Sequence, residues 1–257
     1  MFVSVKITRE LLVVLSVVLM MVLSIPIASF AVRGAAEPTA AVPSTAVSPV
    51  AYLTFDDGPS VHTQSVLDAL ERNGVKATFF VTAQSPEHLN MLAAESAAGH
   101  LVALHSYSHE FKNIYASEAD FWADIERLQD VISEQTGSRS NFLRFPGGSS
   151  NTAARRCGGS QIMKNLVEQC KQFEYTYYDW NVDTRDALGD VKSADYIAKR
   201  AISGALGQKN AVILMHDAGM SAHAAAAIDI IVPALLREGY RFDTLDNLVM
   251  PVHHTIP

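Results

Sequence analysis

The sequence predicts one α/β domain built on a parallel sheet with helices outside it, and three observations carry that expectation. From residue 50 onward, short apolar, β-leaning runs alternate with amphipathic helical segments over about 200 residues. The chain has 257 residues, 49% of them hydrophobic and 18% charged, which is enough for one large globular domain or two small ones; it shows no internal repeat and no second composition regime. The residues able to do chemistry fall just after the apolar runs rather than along the helices. Such a strand–helix alternation leaves two forms open, doubly wound or barrel. In either, function gathers at the carboxyl ends of the strands.

Val50-Ala51-Tyr52-Leu53 reads as the first buried strand, and Gly58-Pro59 stop the chain after Asp56-Asp57. Residues 62–73 form a helix with Val66, Leu67 and Leu70 on one face and Asn73-Gly74 as its stop. Residues 77–81 are the second strand, 86–98 a helix with proline near its first turn, and 101–104 the third strand. Ser117 caps a long helix that ends before Gly137, with Phe121, Ile125, Leu128, Val131 and Ile132 facing inward. Phe142-Leu143 is the fourth strand, followed by a helix over 160–172 and a fifth strand over 175–180. A helix over 193–206, a sixth strand over 211–215 and a last helix over 224–238 complete the alternation, and residues 239–242 close it.

The N-terminus is of another kind. Lys6 and Arg9 precede an apolar run over 11–23, then Ser24-Ile25-Pro26 and a small-x-small site ending at Ala31. That pattern predicts an export signal over 1–31; the run to Val32 also approaches the ~20 residues of an uncleaved membrane anchor. Residues 32–49, rich in Ala, Pro, Ser and Thr, are expected to be an extended linker, and 50–257 the functional domain. The product is therefore expected outside the cell, secreted or wall-associated, with any membrane association confined to the N-terminal segment. A net charge of −7 and a pI near 5.7 supply no basic stripe, which argues against a nucleic-acid partner.

Cys157 and Cys170 flank a segment of helical spacing. A helix running the whole way would hold them roughly 15–20 Å apart by its 1.5 Å rise, beyond the ~7 Å that a bridge allows between Cα atoms. Two free thiols are expected.

The strand ends carry the chemistry. Asp56 and Asp57 follow the first strand, His105 and His109 the third, Arg144 the fourth, Asp183 and Asp186 the fifth, and His216 and Asp217 the sixth. Adjacent carboxylates repel each other unless a metal ion or an arginine neutralises one. Two imidazoles four residues apart share one face if the chain turns helically after its strand, and with one carboxylate they form a two-His-one-Asp set for a divalent metal. Asp57 is assigned as that carboxylate. Asp56, pointing differently on strand alternation, is the candidate base, with Arg144 to hold it ionised. His216 is the candidate acid, kept protonated by Asp186 or Asp183. Taken singly, Arg144 has an ordinary reading as a surface cation and His216 as a satisfied core histidine; jointly those readings require five coincidences at strand ends.

Five stretches in order, Thr54-Phe55-Asp56-Asp57-Gly58-Pro59, His105-Ser106-Tyr107-Ser108-His109, Arg144-Phe145-Pro146-Gly147-Gly148, Asp183-Thr184-Arg185-Asp186 and Leu214-Met215-His216-Asp217, resemble the motifs of the polysaccharide deacetylases. These are the NodB-homology domains of carbohydrate esterase family four, and the likeness spans about residues 50–250. It implies a distorted (β/α) barrel, a bound divalent metal, usually zinc or cobalt, and removal of acetyl groups from an acetylated glycan. By position it implies Asp56 as base, Asp57, His105 and His109 as ligands, and Arg144 as the residue orienting the base. It further implies Gly147 as a backbone donor to the oxyanion, Asp186 and His216 as the tuned acid, and Leu214 as a wall of the acetyl pocket.

Two positions depart from the family pattern: Gly147 stands where an aromatic is usual, and Ala187 where tryptophan usually follows the aspartate. Both widen the groove, and Trp180 is the nearby residue able to supply an aromatic surface. The Phe-Pro-Gly-Gly-Ser-Ser-Asn form is similar to Gram-positive wall-associated members. It points to a peptidoglycan N-acetylglucosamine or N-acetylmuramic acid deacetylase, a hydrolase of a non-peptide carbon–nitrogen bond. The alternatives are an O-acetyl esterase on xylan, a chitin-oligosaccharide deacetylase and a non-enzymatic glycan-binding wall protein.

Overall fold

The computed structural model describes residues 48–219 and 221–257. The predicted export signal or anchor and most of the predicted linker lie outside the described residues. No helix among the described residues is long and apolar enough to cross a membrane.

Eight parallel strands form one sheet: β1 Val50–Asp56, β2 Thr78–Thr82, β3 Leu101–Ser106, β4 Phe142–Leu143, β5 Thr176–Tyr177, β6 Val182–Asp183, β7 Asn210–His216 and β8 Arg241–Phe242. The order is β5-β4-β3-β2-β1-β7-β6. β2 pairs with the second half of β1 from Thr54, while β8 pairs with its start at Val50 and Ala51, so these two strands share one edge of β1. β5 and β6 close the two ends of this order and do not pair with each other among the described residues. The sheet curls as a barrel left open between them, which is the distorted (β/α) barrel expected.

The helices are α1 Thr63–Arg72, α2 Met91–Ala97, α3 Phe111–Ile114, α4 Glu118–Thr136, α5 Thr152–Gly158, α6 Ile162–Gln172, α7 Ala194–Ala205 and α8 Ala224–Arg237. β1 and β2 are buried along their whole length because covering helices and barrel interior take their two faces. Phe55, Leu70, Phe79, Leu104, Leu128, Ile213 and Ile228 belong to the layer under the helices. Tyr52, Phe80, Tyr178 and Val212 form a second cluster on the other face.

The predicted α4 boundaries are realised by their caps. The Ser117 hydroxyl accepts the Asp120 N–H, and Gly137 takes the left-handed φ of 76° that suits a residue without a Cβ. Three expectations are revised. The predicted helix over 86–98 is a 3₁₀ turn, Pro86–His88, followed by the shorter α2. The predicted strand over 175–180 is only two residues long, Thr176–Tyr177, and a separate strand, β6, starts at Val182. The continuous helix assumed between the two cysteines is interrupted: α5 ends at Gly158 and α6 begins at Ile162. Cys157 and Cys170 are nonetheless separate thiols.

Candidate active site

β1 and β7 bring Asp56 and His216 together at the carboxyl ends of adjacent strands, where they are register partners. The chain then leaves the strand sharply, with Asp57 at φ 70°. This turn, rather than simple strand alternation, sends the two carboxylates to different neighbours. Gly58 is required next to it, since a Cβ there would collide with the Asp217 carboxylate.

Asp57 Oδ1 lies 3.4 Å from His105 Nε2 and 3.2 Å from His109 Nε2. The three potential ligand atoms lie within 4.8 Å of one another. Asp57 Oδ1 is buried and finds no hydrogen-bond partner among the described residues. His105 Nδ1 lies 2.8 Å from the Arg144 carbonyl oxygen. A carbonyl can only accept, so the proton resides on Nδ1 and the Nε2 lone pair faces Asp57. An orphaned carboxylate oxygen opposed by two ring nitrogens fits a divalent cation, and three protein ligands leave positions for water and substrate.

The electrostatics agree with that donor set. Burial raises the Asp57 carboxyl, but the close approach of His105 and the charges of His109 and His216 outweigh it and hold the group well below the usual carboxylate range. Burial lowers both imidazoles. At His105, Asp56 and Asp57 reverse the effect and raise it; at His109, burial and the neighbouring His105 leave it lowered.

Asp56 is separated from this set by Arg144. The fully buried guanidinium places Nη1 2.6 Å from Asp56 Oδ1 and donates also to Thr54 Oγ1 at 2.8 Å. Its Nε and Nη2 donate to the carbonyls of Tyr178 and Asp179 at 3.1 and 3.2 Å, and the group lies over the Phe80 ring. Four acceptors fix one rotamer, so Asp56 has a charge-assisted anchor on one oxygen while Oδ2 stands 3.8 Å from His105 Nε2.

Of the two carboxylates proposed for His216, the structure selects Asp186. Its Oδ1 lies 2.9 Å from His216 Nδ1 and its Oδ2 accepts the His216 backbone N–H at 2.7 Å. Asp183 instead accepts the Arg185 backbone N–H and makes no bond to His216. Burial lowers the imidazole, but the Asp186 hydrogen bond and charge prevail and raise it to about 9.

The helical turn expected between His105 and His109 does not form. His105 is part of β3, residues 107 and 108 are a bend, and His109 has φ 53°. A residue that the sequence reading did not single out shapes this loop. Buried Asp124 on α4 accepts Ser106 Oγ at 2.6 Å, Tyr107 N at 2.7 Å, Ser108 N at 3.0 Å and Ser108 Oγ at 2.7 Å. Ser106 Oγ in turn accepts the His109 N–H at 2.8 Å. The signal was present: position 124 lies on the same helical stripe as Phe121, Ile125 and Leu128, where a charge is out of place.

The family model described as polysaccharide deacetylase matches residues 44–178. The chain belongs to the polysaccharide deacetylase family. It is 31% identical over 199 residues to a peptidoglycan-N-acetylglucosamine deacetylase of Bacillus cereus, covering 76% of this chain and 68% of that protein. Its fold is similar to the catalytic domain of a peptidoglycan N-acetylglucosamine deacetylase from Eubacterium rectale, with a TM-score of 0.79 and 38% identity over 82% of this chain and 94% of the other. It is also similar to a family 4 carbohydrate esterase from Streptomyces lividans in complex with acetate, with a TM-score of 0.64 and 31% identity over 81% and 99%.

In this polysaccharide deacetylase, the remaining predicted residues surround the same strand ends. Gly147 has φ 76°, and its N–H makes no hydrogen bond among the described residues. Leu214 is buried on β7 between Thr54 and Asp183 in register. Half-buried Trp180 lies against Gly148, where a Cβ would meet its ring at 2.9 Å. Asp179, also not singled out in the sequence, is fully buried and accepts the Ser149 backbone N–H at 2.8 Å and its hydroxyl at 2.5 Å.

Proposed function

We propose that the chain hydrolyses acetyl groups from the N-acetylglucosamine of cell-wall peptidoglycan in a metal-dependent reaction and releases acetate. The observation that carries this reading is the orphaned Asp57 Oδ1 facing two imidazole nitrogens, beside a second carboxylate, Asp56, already anchored by Arg144. Two adjacent aspartates thus have different tasks: Asp57 holds a divalent cation with His105 and His109, and Asp56 stays available as a base.

A zinc or cobalt ion held by Asp57, His105 and His109 would supply positive charge to polarise the acetyl carbonyl and to acidify a water. Asp56 Oδ2 takes a proton from the attacking water, with Arg144 holding the other carboxylate oxygen and so aiming the group. The Gly147 N–H donates to the oxygen on which negative charge develops. His216 gives its Nε2 proton to the departing amine, while Asp186 holds Nδ1–H and favours the charged ring. Leu214 lines the space for the acetyl methyl, and Trp180 offers its face to a sugar ring. The water oxygen bonds to the acetyl carbon and the C–N bond breaks, with one proton moved from water to Asp56 and one from His216 to nitrogen; the acetic acid formed loses its proton to solvent as acetate, and the proton on Asp56 restores that of His216.

Residues 50–257 form the deacetylase domain in this reading, residues 1–31 direct export or anchor it, and residues 32–49 let it reach the wall. The similarity to the Bacillus cereus and Eubacterium rectale proteins supports the choice of peptidoglycan. The test is acetate release, with and without a chelator, from peptidoglycan, chitin oligosaccharides and acetylated xylan. Chelator-sensitive release highest on peptidoglycan is expected. Highest release from xylan would make the chain an O-acetyl esterase, and no chelator-sensitive release from any of them would leave a glycan-binding protein.

A further inference from the structure

The last residues of the chain run along the opening of the barrel, beside the stretch that joins β5 to β6. The Val252 carbonyl accepts the Asp179 N–H at 2.8 Å, and the His254 N–H donates back to Asp179 Oδ2 at 2.7 Å. His254 Nε2 lies 2.7 Å from the Trp180 carbonyl, its Nδ1 lies 3.1 Å from Ser150 Oγ, and its ring meets Trp180 edge-on at 4.7 Å. His253 stacks on Tyr177 with ring centroids 3.8 Å apart. Val252 and Ile256 pack against the two core clusters and anchor the run at both sides.

These contacts converge on Asp179, whose carboxylate is shared between the tail, through His254 N, and the loop after Gly147, through Ser149. The Asp179 carbonyl also receives Arg144. Such a fully buried carboxylate is costly unless each oxygen is satisfied, and the tail supplies one of the required donors. Trp180 is clamped between Gly148 on one side and His254 on the other.

We propose that residues 252–254 are a positioning strap for the glycan-binding wall: His254 fixes the Trp180 ring, and Asp179 relays the strap to the Gly147–Ser149 loop. The inference rests on the deacetylase reading above. It assigns a role to a segment that contains none of the five motifs and lies beyond the residues matched by the family model. A wall widened at Gly147 and Ala187 has its aromatic surface in Trp180, and a ring that is free to rotate would offer that surface only part of the time.

The test compares wild type, His254→Ala and Asp179→Asn on a chitin pentasaccharide, each carrying Trp122→Phe so that Trp180 is the sole fluorophore of the two tryptophans. Expected for His254→Ala is a KM raised about 3- to 10-fold, a larger change than that in kcat, with a red-shifted Trp180 emission and unchanged metal content. Asp179→Asn is expected to lower kcat as well, because it releases the loop that carries the Gly147 N–H. A lowered Tm with wild-type KM and wild-type Trp180 emission in both variants would make the tail a structural clasp and overturn the proposal. Acetate release by the wild type, measured first, separates that outcome from a failure of the deacetylase reading itself.

Discussion

The Asp124 carboxylate lies 2.6 Å from the Ser106 hydroxyl, which in turn accepts the His109 backbone N–H. A helix carboxylate thus sets the position of a candidate metal ligand without touching it. Four donors converge on its two oxygens, and an amide in its place would satisfy only some of them while turning an N–H toward others.

Asp124→Asn is therefore expected to weaken metal binding. Outer-shell changes of this kind typically cost about 10- to 100-fold in metal affinity or activity. Competition with a chromophoric chelator measures the affinity, and excess zinc should restore much of kcat. Wild-type affinity in a folded variant would show that the loop holds its shape without Asp124.

Asp56→Asn separates the two aspartates. Loss of the base is expected to lower kcat by about 10²–10⁴-fold, with zinc content retained through Asp57, His105 and His109. The same change removes the charged partner of a fully buried arginine. Breaking a buried pair in this way costs about 3–5 kcal/mol, so Tm should fall too; the amide oxygen, still able to accept from Arg144, places the effect toward the low end. His105→Ala is the complementary variant, expected to lose the metal. Near-wild-type turnover in Asp56→Asn would remove it as the base.

Much of this arrangement was legible because strand ends are where an α/β sheet exposes residues, and apolar runs such as Val50–Asp56 and Asn210–His216 announce their own ends. Short elements were not. β6 is two residues, Val182–Asp183, inside a polar stretch, too short to show any period, and it forms because β7 offers its free edge. α5 was hidden by its arginines and by the Gly158-Gly159 pair at its end, although Asn151 caps it with bonds to Ala153 N and Ala154 N. The His105/His109 spacing suggested a helix, yet the rings meet through a bend that is held by the distant Asp124. Sequence separation concealed that contact, and the misplaced charge on the α4 stripe was its one local sign.

His216 offers a pH test. Its folded value is raised to about 9, above the ordinary ~6.5 of an imidazole. A raised histidine stabilises the fold fully below the unfolded value, and that contribution is lost as pH rises through the folded one. As an acid it should likewise fail in that higher range. Asp186→Asn removes the charge that holds the proton, so the alkaline limb of kcat/KM should move to lower pH, with the largest loss of activity at and above neutrality. An unchanged limb with reduced kcat would assign the limb to another group.

Glu95 provides a test away from the reaction. It is fully buried on α2, and neither carboxyl oxygen has a hydrogen-bond partner among the described residues. Burial, with the Asp217 charge adding to it, raises the group well above the ordinary carboxylate range. The folded state then binds this proton more tightly than the unfolded one, whose value is near 4.3. Below that pH both states are protonated and nothing is lost. As pH rises above it, the unfolded chain alone releases the proton, and stability falls until the folded value is reached. Glu95→Gln keeps the size and the neutral form while abolishing the titration. Its melting temperature should match wild type near pH 4 and exceed it at pH 7 to 8, each kcal/mol of relief raising Tm by about 2–4 °C in a domain of this size. Thermal melts of both proteins across that range decide the matter, and a difference that does not grow with pH would show that Glu95 titrates normally.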